Sequence, residues 1–193
     1  PVIAMSFDPI AAAAPVPENA TMVVSFCDGI GAVWIALNGL RVPFAGYSSE
    51  KEASLTAIVM EHFPELVTIW DSDCTNITAE QIMEEAVSRG FTFILLVAGL
   101  PCQPFTLLAT DPKGPADSRA APFVHFVEVK NVLQQTCRGS DVKFRYLVEE
   151  ASHISEEHLD WMITALDSTP VLMHAADFGW VHRARLWFGL DED

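Results

Sequence analysis

Cys102 lies between Pro101 and Pro104 in the stretch LLVAGLPCQPFT, residues 95–106. The apolar residues Phe93, Ile94, Leu95, Leu96 and Val97 read as a strand buried on both faces, and the Gly and Pro residues that follow stop it abruptly. The thiol is therefore expected in a stiff loop at a strand's carboxyl end, where open α/β sheets bind ligands and where a cysteine can serve as a nucleophile. Taken singly, a cysteine is more often a small buried hydrophobe. Further groups of residues bear on that choice. Cys27-Asp28-Gly29-Ile30-Gly31 makes a glycine turn after an apolar run. Glu50 follows about 20 residues later, the spacing at which nucleotide-binding α/β folds place an acid against ribose hydroxyls. A plain βα turn and an acid held by a helix dipole account for the same residues equally well. Asp73-Cys74 and Glu149-Glu150 close two more runs, and Arg183 and Arg185 sit in VHRARLWFG. Two acids around a glycine turn suit a ribose and an adenine amino group, whereas a thiol, a carboxyl group and a guanidinium suit a reacting heterocycle.

Strands are needed to carry these groups to one place. Apolar runs over residues 21–26, 44–48, 66–70, 91–98, 144–148, 171–175 and 186–189 read as strands, with helices expected over about 32–40, 51–62, 78–89, 123–136 and 155–166. Thr78 with Gln81 forms a capping box, and Ser155 caps the last helix. Residues 105–120, rich in Pro, Gly and Asp, read as a lid or binding loop, or else as a disordered segment, directly after the thiol. Alternating strands and helices predict an α/β fold with a doubly wound, mostly parallel sheet, closed by a C-terminal antiparallel hairpin. On that topology Asp28, Gly29, Glu50, Asp73, Cys102 and Glu149 all fall on the sheet's carboxyl edge, and the hairpin delivers Arg183 and Arg185. Residues 1–20, with an Ala run and no periodicity, read as an arm or linker.

The chain has 193 residues, 50% of them hydrophobic, enough for one domain with a sizeable core. Its four cysteines, at 27, 74, 102 and 137, show no CxxC or Cys/His spacing, so neither a metal site nor a disulfide scaffold is expected and a reduced, intracellular compartment is. No apolar run approaches the roughly 20 residues that span a bilayer, and residues 1–20 lack the basic start of a signal peptide, so a soluble protein is expected. The net charge of -15 is unfavourable for contact with phosphates, but it is unevenly spread. Lys113, Arg119, Lys130, Arg138, Lys143 and Arg145 face only Asp117, Glu128 and Asp141 over residues 113–145. A polyanion would approach there, or through a partner.

The motifs, in their order, resemble those of the cytosine-5 DNA methyltransferases, with spacing closest to the eukaryotic de novo class, over residues 22–189. That resemblance implies a fold of the S-adenosylmethionine-dependent, Rossmann-like type and a role for each motif. Phe26, Cys27, Asp28, Gly29, Ile30 and Gly31 would cradle S-adenosylmethionine. Glu50 would bind its ribose and Asp73, with Cys74 beside it, the adenine amino group, with Pro101 also against the cofactor. Cys102 would be the nucleophile of the family's Pro-Cys pair, Glu149 its acid, and Arg183 and Arg185 its Arg-x-Arg. The sequence departs from the family at Cys27, where a Phe is usual, at Ala98 and Leu100, which replace a Gly and a Ser, and at Glu150, which replaces an Asn. Like-charge repulsion should raise the pKa of one of the two adjacent acids. The family continues past its Arg-x-Arg strand with a target-recognition region and a Gly-Asn segment, which this chain does not carry. The expected plan is an arm over 1–20 and a catalytic domain over 21–193, with target recognition supplied by a further segment or a partner subunit.

The implied reaction is methyl transfer to carbon 5 of cytosine. The Cys102 thiolate would add to carbon 6, Glu149 would hold or protonate ring nitrogen 3, and Arg185 would hold the exocyclic oxygen. The target base would leave a duplex stack to reach this edge, DNA would be the partner, and the nucleus the expected location. No metal is required and no membrane is involved. Two alternatives stand beside this reading. One is RNA cytosine methylation, since a related branch uses much the same thiol and carboxyl on transfer RNA. The other is a non-catalytic, methyltransferase-like partner of an active relative.

Overall fold

Among the described residues seven strands form one sheet in the order β3-β2-β1-β4-β5-β7-β6. They are β1 (Thr21–Phe26), β2 (Phe44–Ser49), β3 (Val67–Ile69), β4 (Phe93–Gly99), β5 (Lys143–Ala151), β6 (Val171–His174) and β7 (Ala184–Phe188). Five helices connect them: α1 (Ala32–Gly39), α2 (Ala53–His62), α3 (Ala79–Ser88), α4 (Ala121–Cys137) and α5 (Glu156–Leu166). The computed structural model describes Val16, residues 18–177, Gly179 and residues 181–190. Most of the arm expected over residues 1–20 therefore lies outside the described residues. Strands β3, β2, β1, β4 and β5 pair in parallel. β7 runs antiparallel to both β5 and β6, which places the last strand inside the sheet and β6 at its edge. The α/β, doubly wound sheet with a C-terminal antiparallel hairpin is thus present.

Alternation along each strand sends neighbouring side chains to opposite faces. Ile94, Leu96 and Ala98 of β4 join Phe26, Phe123, Phe126, Val148 and Phe188 in the larger core. Leu95 and Val97 point the other way, toward Val23, Trp34, Phe44, Val59 and Val67. Local signals start the helices where expected. The Thr78 hydroxyl accepts from the Gln81 amide while the Gln81 side chain accepts from the Thr78 amide, and the Ser155 hydroxyl accepts from the His158 amide. Among the described residues no helix is long and apolar enough to cross a membrane.

Two expectations change. β5 does not stop before the acidic pair but runs through it to Ala151, because β7 extends the ladder there, pairing Glu149 with Trp187 and Glu150 with Leu186. Residues 105–120 are not an open loop. Phe105 is fully buried, 5.1 Å from the Phe123 ring and 5.6 Å from the Trp161 ring. Thr106 forms a bridge to Ile154 and the Leu107 amide donates to the His153 carbonyl. Two 3-10 turns, Gly114–Ala116 and Ser118–Ala120, complete the segment. A Cβ at Gly114 would lie 2.6 Å from the His158 ring, so the side chain is excluded by that packing.

The basic stretch does not form one surface. Lys130 is buried, its ammonium 5.2 Å over the Tyr146 ring, and burial lowers its pKa. Lys113 pairs with Asp111 and Arg119 with Asp117. Lys143 and Arg145 begin β5, at the sheet end opposite Cys102.

Candidate functional site

The glycine turn follows β1 directly. Cys27 takes a left-handed φ of 53°, Gly29 of 60° and Gly31 of 75°. The two glycines serve different ends. A Cβ on Gly31 would meet Trp34 at 2.5 Å and Val59 at 2.9 Å, so the packing of α1 against α2 demands its absence, whereas nothing lies within 4 Å of the Cβ position at Gly29. The turn is closed from below by Asp28. Its carboxylate accepts from the Ser25 hydroxyl (2.8 Å), the Ser48 hydroxyl (2.8 Å) and the Trp34 indole (2.6 Å). Burial raises the Asp28 pKa and these three donors pull it back. Phe26 faces the core against His125 and Phe126 rather than the open side of the turn, and Ile30 is exposed.

Glu50 follows β2. One of its oxygens accepts from the Gly29 amide (2.8 Å) and the other from the Glu52 amide (2.9 Å), tying the first turn to the second strand. Each oxygen keeps a further lone pair. Beside it, Ser49 is buried and its hydroxyl has no partner among the described residues. After β3, Asp73 accepts from the Thr75 amide and hydroxyl and pairs with Lys51 at 3.0 Å. The Thr75 hydroxyl, then Lys51, hold its carboxyl below the usual range. Open space above Gly29 and the acceptor at Glu50 fit a hydroxyl-rich nucleoside.

Cys102 and Pro101 are half-buried, and the Cys102 carbonyl accepts from both the Phe105 and Thr106 amides at 2.9 Å, which makes the thiol's loop a tight turn on a buried aromatic anchor. Glu149 sits opposite Gly99 in the β4–β5 register. A Cβ at Gly99 would stand 3.8 Å from the Glu149 carboxylate and 3.6 Å from the Cys27 carbonyl. Gly99 is therefore where the glycine turn and the acid approach each other. Arg185 and Arg183 both pair with one oxygen of Glu149, the latter at 3.4 Å. Burial raises the Cys102 pKa, Glu150 and Glu149 add to that, and Arg185 opposes it. Glu150 turns to the opposite face from Glu149. It is buried, one of its oxygens has no partner among the described residues, and its pKa is pushed up to about 8, by burial first and by the Glu149 charge only after it.

A methyltransferase of Entamoeba histolytica, EhMeth, superposes with a TM-score of 0.63 at 17% identity, covering 88% of this chain and 52% of its own. A mutant of Spodoptera frugiperda DNMT2 superposes with a TM-score of 0.61 at 18% identity, covering 88% of this chain and 49% of its own. The chain has a methyltransferase-type fold. It spans about half the length of these structures. No protein-family model matches the sequence.

The structure brings the sequence-selected residues into two neighbouring groups on one sheet edge. Gly29, Glu50, Asp73, Cys27 and Cys74 form one, and Cys102, Glu149, Arg183 and Arg185 the other. Asp28, Phe26 and Gly31 support the first from below. Sequence reasoning passed over Ser49, whose burial and missing partner depend on the register with Phe26, and over Gly99, whose role emerges only from the pairing of β4 with β5.

Proposed function

We propose that residues 21–193 belong to the catalytic domain of a DNA (cytosine-5)-methyltransferase, acting from the nucleus. The observation that carries the reading is the approach of Glu149, held by Arg183 and Arg185, to the glycine turn across Gly99, with Cys102 close enough to feel the charges of Glu149 and Arg185. Glu50 and Asp73 would hold S-adenosylmethionine, with Gly29, Cys27, Cys74, Ile30 and Pro101 around it and Phe26, Asp28 and Gly31 shaping the turn. When bound, that cofactor supplies an electrophilic methyl group.

The chain's own groups prepare the base. The Cys102 thiolate adds to carbon 6 of a flipped cytosine, raising electron density at carbon 5. Glu149 holds ring nitrogen 3 and its proton, while Arg185 stabilises negative charge on the exocyclic oxygen. Arg183 shares the Glu149 carboxylate and keeps it oriented. The packed aromatic anchor at Phe105 limits the thiol's wandering, which supports a productive approach.

A second reading, a non-catalytic partner that binds an active relative, is favoured by the raised Cys102 pKa, which leaves little thiolate at neutral pH. One experiment separates the readings. The chain is incubated, with cofactor, with oligonucleotides carrying 5-fluorocytosine, in DNA and separately in RNA, and denaturation-resistant adducts are sought. An adduct on DNA alone is the expected result. An adduct on RNA alone assigns the RNA substrate. No adduct, including after addition of a partner subunit or a longer chain, favours the non-catalytic role.

A further inference from the structure

Between the end of β4 at Gly99 and the 3-10 turn that opens at Gly114, the chain has no helix or strand, only the bridge of Thr106 to Ile154. Cys102 lies in this stretch, so the position of its thiol depends on what fastens the loop. Part of the fastening involves the backbone. The Leu107 amide donates to the His153 carbonyl, as does the Thr106 hydroxyl at 3.0 Å, and the Gly114 amide donates to the Pro104 carbonyl at 2.8 Å. The rest is a single side chain. His158 lies half-buried in the first turn of α5, where its own amide donates to the Ser155 hydroxyl at 3.3 Å. Its ring Nδ1 donates to the Phe105 carbonyl at 3.2 Å; a carbonyl only accepts, so that nitrogen carries a proton. The ring stands edge-on to the Phe105 ring, with centroids 5.9 Å apart, and its Nε2 lies 2.6 Å from where a Cβ of Gly114 would sit. Two ends of the loop, at Phe105 and at Gly114, thus close on one imidazole.

We infer that His158 is a positioning residue for Cys102, clamping the loop that carries the thiol through its hydrogen bond to the Phe105 carbonyl. The role in the reaction rests on the reading of Cys102 as the nucleophile proposed above; the clamp itself does not. The path from ring to thiol is short. The Cys102 carbonyl accepts from the Phe105 and Thr106 amides, each at 2.9 Å, so Phe105 is fixed on one side by Cys102 and on the other by His158. Removing the imidazole leaves the Phe105 carbonyl without this donor and opens space between Phe105 and Gly114. The turn can then roll, and the direction of the sulfur is no longer set. A misplacement of about 1 Å is enough to cost a positioned group about a hundredfold in rate. His158 acts on the loop rather than on the sulfur, so the thiol's own reactivity toward a small reagent is not diminished by its loss.

The test compares the whole chain with three variants: His158→Ala, which removes the clamp; His158→Asn, whose side-chain amide keeps a donor near Nδ1; and Gly114→Ala, whose Cβ displaces the ring while His158 stays. Circular dichroism establishes that each folds, and Gly114→Ala with His158→Asn decides the matter if His158→Ala does not. Hydrogen exchange read by mass spectrometry is expected to be at least about tenfold faster at the Phe105 and Thr106 amides in His158→Ala and Gly114→Ala, unchanged in β4, and near the parent rate in His158→Asn. Trapping on a 5-fluorocytosine oligonucleotide should follow the same order, slowing at least about tenfold where the clamp is gone. Alkylation of Cys102 by iodoacetamide, which needs no fixed approach, should not slow. Parent-like exchange in His158→Ala and Gly114→Ala overturns the clamp, as does a loss in His158→Asn as large as in His158→Ala, which would make the ring a filler of space. Faster exchange with unchanged trapping overturns the positioning role. A parent chain that traps no oligonucleotide, while its exchange still depends on His158, upholds the clamp and counts against Cys102 as the nucleophile instead.

Discussion

Single side chains at the sheet edge make separable predictions. Glu50 accepts two backbone amides and keeps lone pairs for a ligand, so Glu50→Ala should weaken S-adenosylhomocysteine by about tenfold to a hundredfold, the worth of a charged acceptor. Calorimetry giving unchanged affinity would show that Glu50 only braces the glycine turn. Cys102 is held mostly protonated at neutral pH, so adduct formation with a 5-fluorocytosine oligonucleotide should rise with pH through neutrality and vanish in Cys102→Ser; a flat pH profile would exclude this thiolate as the limiting species. Glu150 titrates differently in the folded and unfolded chain. Its pKa moves from 4.5 to about 8 on folding, so between those values the unfolded chain sheds a proton that the folded one keeps, and stability falls as pH rises. The loss should amount to about 5 kcal/mol across the window, and Glu150→Gln should remove that slope in denaturant titrations at several pH values. The acidic pair was visible in the sequence and a raised pKa was expected for one member. Which member, and why, was not. Strand alternation sends the two carboxyl groups to opposite faces, and burial of Glu150 outweighs repulsion between them.

The elements themselves were largely legible, because continuous apolar runs and the Thr78 and Ser155 caps depend on nearby residues only. What depends on pairing was not. The order of β5, β7 and β6 follows from contacts far apart in the chain, and it lengthens β5 past the acidic pair. The same limit hid the difference between the turn's two glycines. Gly31→Ala combines a left-handed φ with contacts at 2.5 Å and 2.9 Å and should cost about 2 to 4 kcal/mol, lowering the unfolding midpoint clearly. Gly29→Ala meets only the φ penalty, about 1 to 2 kcal/mol, and should leave a folded protein whose ligand affinity has dropped. Equal destabilisation by the two substitutions would mean that the packing of α1 against α2 does not set the turn.

Over the whole molecule, a charge of -15 and a dispersed set of basic groups shape encounters with nucleic acid. Lys130 is buried, and Lys143 and Arg145 start β5 at the far end of a strand about 30 Å long from the Ala151 terminus. Filter binding of the chain alone should therefore be weak, with log affinity falling against log salt at only about -0.9 for each of a few neutralised phosphates. Tight binding with a steep slope would show a basic surface assembled in some other way.

The position of β7 also has a bearing on how the protein comes into being. Glu149 is made early, but its arginine partners belong to a strand that must insert between β5 and β6. As the polypeptide leaves the ribosome, the nucleoside-side turns can pair within β1 to β4 well before residues 184–188 emerge. The carboxylate waits in water until then. The reactive half of the edge is thus completed after the nucleoside half, so a nascent chain would hold the proposed ligand before it would act on a base.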